Sequence, residues 1–182
     1  MKRPMSIARA FIALGANLPF EGKSPAETLA RAAAALAEAG LRPLKFSSLW
    51  ETAAWPPSDQ PPYVNAVIVF EAAGLKPQPL YATLRDIETA FGRSRRARWD
   101  ARTLDLDILA IDGLEGIFGD VELPHPRMTG RAFVLAPLAE IAPDWAHPAD
   151  GRTASDLLAA LGPAEGYRRL NTAWAPSAGQ GG

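Results

Sequence analysis

The chain has 182 residues, which is enough for one domain with a proper core and too short for two ordinary domains. Its formal net charge of −1 argues against a global field that attracts nucleic acid or an anionic membrane, and the lack of cysteine excludes disulfides and thiolate metal sites. Two histidines leave little material for a zinc site or a Ser-His-Asp triad. Because no apolar run is long enough to span a bilayer, we expect a soluble, cytoplasmic protein.

The first half of the chain predicts a strand, a helix and two further strands. Residues 8–14 form an apolar run that is typical of an interior strand. The segment Ser24-Pro-Ala-Glu27 then indicates a helix start, with serine at the N-cap, proline at the first position and glutamate closing a capping box. We expect this helix to end near residue 39 and further strands at residues 45–52 and 63–71.

The second half predicts one more helix and strand, followed by extra elements. The helix is expected at residues 78–91, and the strand at residues 104–111 follows an arginine-rich loop. The order β-α-β-β-α-β is the ferredoxin-like pattern, an α+β fold in which an antiparallel sheet carries both helices on one face. The extra C-terminal elements are an excursion at residues 112–122, an apolar segment at residues 133–141 and a helix at residues 153–161.

The domain organisation predicted from this pattern is simple. Residues 1–172 are expected to form a single catalytic domain, and the Gly-, Pro- and Ser-rich residues 173–182 a disordered tail. No internal repeat divides the chain further.

Two aspartates share one face of the strand predicted at residues 104–111. The strand period of two places Asp105 and Asp107 on one side and the intervening leucines on the other. Their Cα atoms would lie roughly 6–7 Å apart, from a rise of about 3.3 Å per residue. Carboxylates at this spacing suit hard cations such as Mg²⁺, which is usually bound by one or two carboxylates plus substrate phosphates.

A cluster of arginines immediately precedes this strand, with Asp100 as its only acid. Its members are Arg93, Arg95, Arg96, Arg98 and Arg102. Cations beside a two-carboxylate site are typical of a clamp for a polyphosphate. The alternative is a solvated edge strand whose aspartates pair with nearby arginines, and on the aspartate pair alone we favour that alternative. The aspartate pair and the arginine cluster together instead indicate that both bind the same highly charged ligand.

The segment from Asn17 to Ser24 ends like a phosphate-binding P-loop. Asn17 stands where the first glycine of that motif is required, and Pro19 removes one of the backbone amides that would hold the phosphates. The capping box explains the same residues, so we reject a P-loop.

Motifs spread over about residues 10–145 match one enzyme family in the same order. They include Leu14-Gly-Ala-Asn17, Asp59-Gln-Pro-Pro-Tyr-Val-Asn65, Gly92-Arg93, Arg102-Thr-Leu-Asp105-Leu-Asp107, Pro124-His125-Pro126, Arg131-Ala-Phe133 and Pro137-Leu-Ala-Glu140. The R-x-x-D-L-D segment is the most specific of these. By these motifs the chain resembles 6-hydroxymethyl-7,8-dihydropterin pyrophosphokinase of the folate pathway.

This resemblance implies a reaction between two small molecules. The enzyme would move a diphosphoryl group from ATP, its co-substrate, to the hydroxymethyl group of 6-hydroxymethyl-7,8-dihydropterin and release AMP. We expect a monomer with neither nucleic acid nor a membrane as partner. Asp105 and Asp107 would hold two Mg²⁺ ions, and Arg93 and Arg102 would stabilise charge on the transferring group. Further residues match family positions around ATP, namely Glu88, Arg95, Arg98, His125 and Arg131. Lying between two prolines, His125 has the alternative role of capping a turn.

The resemblance also implies a pocket for the flat pterin ring, stacked between aromatic faces and recognised at its edge by amides. The matching residues are Thr52, Ala53, Trp55, Tyr63, Asn65, Trp99 and Phe133, with Phe133 and Trp99 as stacking residues and Trp55 as an extra lid. Taken singly, Phe133 and Tyr63 are better explained as core residues. Asn65 differs, because an asparagine within a buried strand needs a partner.

Three other functions compete with this interpretation. An RNA-recognition domain shares the element order, but it would carry aromatic residues where this chain has Asp105 and Asp107. A metal-dependent nucleotidyltransferase or nuclease would share the carboxylates and need no pterin pocket. A catalytically inactive relative is disfavoured because Arg102 and both aspartates are intact.

Overall fold

A six-stranded sheet forms the centre of the protein. The computed structural model describes residues 7–54, 59–93, 102–162 and 166–175. The strands are β1 (Arg9–Ala16), β2 (Pro43–Phe46), β3 (Trp50–Thr52), β4 (Tyr63–Glu71), β5 (Asp105–Ile111), β6 (Gly116–Phe118), β7 (Val121–Leu123) and β8 (Tyr167–Arg169). The sheet order is β5-β1-β4-β3-β8, β2 also pairs with β4, and all these pairings are antiparallel. Strands β6 and β7 form a separate hairpin.

Four helices pack on this sheet: α1 (Pro25–Glu38), α2 (Pro77–Ala90), α3 (Ala132–Ile141) and α4 (Ala154–Ala160). The predicted capping box of α1 is confirmed, since the Ser24 hydroxyl accepts from the Glu27 N–H at 3.3 Å and the Glu27 carboxylate accepts from the Ser24 N–H at 2.9 Å. The element order and the strand pairing confirm the predicted ferredoxin-like α+β fold. Within the described residues, none of the helices is long and apolar enough to cross a bilayer.

The two faces of the sheet bury two separate apolar clusters. Because side chains alternate along a strand, Ile12 and Leu14 pack in the cluster beneath α1 and α2. Phe11 instead packs with Val67 and Leu109 beneath α3 and α4. The sequence predicts that this second face is available for a ligand or for extra elements. Helices α3 and α4 cover part of it, and the remainder is open as a cleft.

The structure departs from the sequence-based expectations near β3. The strand predicted at residues 45–52 is divided into β2 and β3, since the Ser47 hydroxyl accepts from the Val67 N–H at 2.9 Å and interrupts the ladder. Strand β8, which was not predicted, pairs with the free edge of β3. Trp174 falls in the segment expected to be a tail, yet it is only 8% exposed and its indole N–H donates to the Ser47 carbonyl at 2.8 Å.

Candidate active site

A cleft of about 300 Å³ opens where the C-terminal end of β1 meets the N-terminal ends of β4 and β5. Eleven of the residues predicted from the sequence line it: Thr52, Ala53, Tyr63, Asn65, Arg93, Arg102, Asp105, Asp107, His125, Arg131 and Phe133. Glu88 lies directly behind Arg93, and the two side chains are paired. The other predicted site residues, Trp55, Arg95, Arg98 and Trp99, lie outside the described residues.

The cleft has two ends of different character. We call the part formed by Arg93, Arg102, Asp105, Asp107, His125 and Arg131 the charged end, and the part formed by Thr52, Ala53, Tyr63, Asn65 and Phe133 the neutral end. Both lie on the face of the sheet that carries α3, because Asn65 of β4 and Asp105 and Asp107 of β5 alternate with residues that pack beneath α1 and α2.

At the charged end, Asp105 is held between two arginines. Its carboxylate oxygens lie 2.9 Å from Arg93 Nη1 and 2.6 Å from Arg102 Nη1. The three side chains are between 22% and 30% exposed, so the pairing is partly shielded from water. Charge-assisted contacts of this kind fix the direction of both guanidinium groups towards the cleft.

Asp107 lacks such a close cationic partner among the described residues. Its ion pair with Arg85 is long, at 3.9 Å. Burial and the neighbouring Asp105 carboxylate raise the pKa of Asp107, and this effect is opposed by His125, Arg85 and Arg131. Two carboxylates that repel each other in a partly shielded cleft favour a cation between or beside them.

Glu88 anchors the charged end from behind. Its carboxylate accepts from the Leu106 N–H at 2.7 Å and contacts both Arg85, at 2.7 Å, and Arg93. Burial raises the pKa of Glu88 to about 7, against the opposing effects of Arg85, the Leu106 N–H and Arg93. The site therefore has a buried acid close to its titration point at neutral pH.

Arg85 is a residue of this network that the sequence reasoning missed. Besides pairing with Glu88, it donates to the Leu106 carbonyl of edge strand β5 and lies over the Tyr81 ring at 4.9 Å from the centroid. The available signal was the spacing of three residues between Arg85 and Glu88 on a predicted helix, which brings their side chains together.

His125 lies at the far side of the charged end. Its backbone N–H donates to the Leu109 carbonyl at 2.7 Å, and its Nδ1 accepts from the Arg127 N–H at 3.1 Å. It therefore does organise a turn, as the alternative interpretation held, and it also lines the cleft. Burial lowers the pKa of His125, with Arg131 and Arg127 acting in the same direction and Asp107 opposing them, so the imidazole is neutral at pH 7.

Asn17 holds the loop that carries Arg102. Asn17 is 1% exposed, its Oδ1 accepts from the Arg102 N–H at 2.8 Å, and its own N–H donates to the Arg102 carbonyl at 3.0 Å. Its amide nitrogen also donates to the Pro61 carbonyl at 3.2 Å. The sequence singled out Asn17 as a mismatch to a P-loop and as part of a family motif, but not for this role, because the role depends on partners more than 40 residues away.

At the neutral end, the amide group of Asn65 is the central polar feature. Its Nδ2 donates to Thr52 Oγ1 at 2.9 Å, which supplies the partner that a buried asparagine requires. Gly15 lies against it, since a Cβ at that position would be 3.1 Å from Asn65 Oδ1. Phe133, on α3, lines the same space, and the Arg131 guanidinium lies over its ring at 5.6 Å from the centroid. An amide and an aromatic ring therefore border one part of the cleft.

The donor set at the charged end fits a hard divalent cation. Among the described residues, no group of three or more histidines and acids is placed to hold a metal, so the candidate oxygen ligands at this end are the pair Asp105 and Asp107. Two carboxylates supply oxygen ligands of the kind that Mg²⁺ prefers, and Mg²⁺ usually completes its shell with water and phosphate oxygens. The raised pKa of Asp107 is consistent with this, because a bound cation would relieve its repulsion from Asp105.

Comparison with known proteins agrees with this geometry. The model of the family 7,8-dihydro-6-hydroxymethylpterin-pyrophosphokinase matches residues 11–143. Two relatives named 2-amino-4-hydroxy-6-hydroxymethyldihydropteridine pyrophosphokinase are similar over most of their length. The one from Pseudomonas aeruginosa is 40% identical, covering 90% of this chain and 98% of its own, and the one from Methylorubrum extorquens is 37% identical, covering 86% and 96%.

Other matches are partial. The relative of the same name from Synechocystis is 41% identical, but the match covers 66% of this chain and 60% of the relative. The crystal structure of Plasmodium falciparum HPPK-DHPS with pteroate has a TM-score of 0.64 at 12% identity and covers 84% of this chain and 44% of that one, which supports the fold alone. From the family match and the two long alignments, the chain belongs to the 7,8-dihydro-6-hydroxymethylpterin-pyrophosphokinase family.

Proposed function

We propose that this chain transfers diphosphate from ATP to the hydroxymethyl group of 6-hydroxymethyl-7,8-dihydropterin, as a step of folate biosynthesis. The observation that carries the proposal is the joining of the charged and neutral ends in one cleft. The charged end suits a polyphosphate, and the neutral end suits a flat ring with hydrogen-bonding groups at its edge. Family membership and the names of the relatives point to the same reaction.

The bond changes are those of a substitution at phosphorus. The hydroxymethyl oxygen forms a bond to the β-phosphorus of ATP, the bond from that phosphorus to the α,β-bridging oxygen breaks, AMP leaves and the hydroxyl proton is released. Asp105 and Asp107 would hold two Mg²⁺ ions, which when bound supply positive charge to the phosphate oxygens. In a reaction of this type, positioning and electrostatic stabilisation supply most of the rate enhancement.

The residues of the cleft divide this work. On ATP binding, Arg93 and Arg102 would exchange their contacts with Asp105 for contacts with phosphate oxygens. Asn17 would hold the backbone of Arg102 in place during this exchange. ATP is assigned to the side of His125 and Arg131. At the neutral end, Asn65 and Thr52 would bind the pterin edge while Phe133 stacks on the ring. The monomeric state and the cytoplasmic location remain predictions.

The test is Mg²⁺-dependent AMP release from ATP, with and without the pterin. We expect pterin-dependent AMP from the wild type and a loss of about a thousandfold or more in Asp107→Asn, since a metal ligand in phosphoryl transfer contributes several kcal/mol. Asp112→Asn is the matched control, because Asp112 follows the same strand but pairs with Arg9 at 2.8 Å. AMP release that does not need the pterin would instead indicate a different ATP-cleaving enzyme, and retention of activity in Asp107→Asn would refute the metal site.

A further inference from the structure

Glu140, at the C-terminal end of α3, is bonded to both β3 and β8. One of its carboxylate oxygens accepts from the Ser48 N–H and from Trp50 Nε1, each at 3.0 Å. The other accepts from the Ser48 hydroxyl at 2.7 Å and pairs with Arg169 Nη2 at 3.2 Å. Burial raises the pKa of Glu140, but the hydrogen bonds from Ser48 and Trp50 outweigh it and lower that pKa, so the carboxylate is charged at neutral pH.

These contacts align α3 with the strand that borders the neutral end. Phe133 and Glu140 are seven residues apart, so they share one face of α3 at a separation of about 10 Å along the axis. On β3, Trp50 and Thr52 point to the same face of the sheet, roughly 7 Å apart. With Glu140 seated over Ser48 and Trp50, Phe133 is brought to the level of Thr52, and both line the cleft.

We propose that Glu140 is a positioning residue for the neutral end of the cleft. It fixes α3 along β3 and so holds Phe133 in the cleft that the hydrogen-bonded pair of Asn65 and Thr52 also lines. This inference rests on the proposed function, because it assigns the pterin to the neutral end. It adds a residue outside the cleft to the set that determines pterin affinity.

The charged end does not depend on Glu140 in the same way. Asp105 and Asp107 lie on β5, and Arg93 and Arg102 pair with Asp105 at 2.9 and 2.6 Å. Arg131 is the N-cap of α3 and lies over the Phe133 ring at 5.6 Å from the centroid, but its N–H also donates to the Met128 carbonyl at 3.2 Å. Met128 is fully buried in the core cluster beneath α3. Loss of Glu140 should therefore change the pterin affinity more than the ATP affinity.

The experiment measures KM for the pterin, KM for ATP and kcat in Glu140→Ala, Glu140→Gln and Trp50→Phe. We expect Glu140→Ala to raise the pterin KM by about tenfold, equivalent to about 1.4 kcal/mol, while the ATP KM and kcat change by less than about twofold. Glu140→Gln should give an intermediate value, because it keeps one acceptor oxygen. Trp50→Phe, which removes one donor and keeps the ring, should raise the pterin KM by about two- to threefold.

Arg168→Ala is the matched control. Arg168 pairs with Glu51 at 2.9 Å and so also joins β8 to β3, but on the opposite face of the sheet from α3. It should leave all three constants unchanged. The same enzyme titrated with pterin in the presence of a non-hydrolysable ATP analogue gives the affinity directly, independent of turnover.

The outcomes separate the inference from the function on which it rests. A pterin KM within about twofold of wild type in Glu140→Ala would overturn the inference alone, as would equal rises in the pterin and ATP KM. If Glu140→Ala does not fold, Glu140→Gln and Trp50→Phe decide in the same way. A wild-type protein without pterin-dependent AMP release would instead overturn the proposed function, and the inference with it.

Discussion

The two ends of the cleft are held together by different interactions, ion pairs at the charged end and uncharged contacts at the neutral end. At the charged end, each acid lies near at least one arginine: Asp105 contacts two, Glu88 contacts two, and Asp107 lies 3.9 Å from one. At the neutral end, the hydrogen bond from Asn65 to Thr52 sets the polar edge, and Phe133 lines the same space. The first end depends on charge state, and the second on the placement of uncharged groups by distant parts of the fold.

The largest expected effect is a pH dependence of the free energy of unfolding, caused by Glu88 behind the charged end. The pKa of Glu88 is about 7 in the folded protein, against an unperturbed value of 4.5. Between these values the folded state binds more protons than the unfolded state, so the free energy of unfolding should fall as pH rises from about 4.5 to about 7. At about 1.4 kcal/mol per pKa unit, the Glu88 contribution to this fall is a few kcal/mol.

Urea unfolding at about pH 5 and about pH 7.5 checks this prediction. Glu88→Gln should flatten the dependence, because the amide does not titrate. Glu71→Gln is the control for charge removal, since Glu71 pairs with Arg42 at 2.9 Å at the other end of β4. Equal pH dependence in wild type and Glu88→Gln would show that Glu88 stays ionised, held by Arg85 and Arg93 throughout the range.

The next effect belongs to the neutral end and should be independent of charge. Asn65→Ala removes the amide edge and leaves the Thr52 hydroxyl without its donor. We expect pterin affinity to fall by about tenfold to a hundredfold, since a lost buried hydrogen bond costs about 1–3 kcal/mol. Titration with pterin in the presence of an ATP analogue measures the loss, and titration with the analogue alone should match wild type.

Thr52→Val tests which member of the pair meets the ligand. It keeps the shape of the side chain, removes the acceptor and leaves Asn65 in place. A smaller loss than in Asn65→Ala is expected, because the asparagine retains its second polar atom. A parallel fall in ATP-analogue affinity in either variant would mean that the two ends of the cleft are not separate.

The same contrast explains how much was predictable from the sequence. Asp105, Asp107, Arg93 and Arg102 lie within 15 residues, so strand periodicity and local charge brought the charged end into view. The capping box at Ser24 and the strand at Tyr63–Glu71 were equally local. These features follow from neighbours in the chain, and the structure agrees with them.

Other features depend on partners far apart in the chain. At the break between β2 and β3, Ser47 accepts hydrogen bonds from the Val67 N–H and from the indole N–H of Trp174, which lies 127 residues away in the chain. Glu140 meets Ser48 across 92 residues. Periodicity carries no information on such pairings, so the support of the neutral end was invisible, although the resemblance named the residues that line it.

The smallest effect tests how tightly the neutral end is packed. In Gly15→Ala the added Cβ would lie 3.1 Å from Asn65 Oδ1, so the amide must give by a few tenths of an ångström. We expect a loss of pterin affinity of about threefold, or about 0.7 kcal/mol, with ATP affinity unchanged. Gly130→Ala is the control, because a Cβ there meets nothing within 4 Å. A loss as large as that of Asn65→Ala would mean that the Asn65 amide cannot move and that Gly15 itself determines pterin binding. No loss of affinity would mean that the Thr52 hydroxyl, and not the backbone of β1, sets the orientation of Asn65.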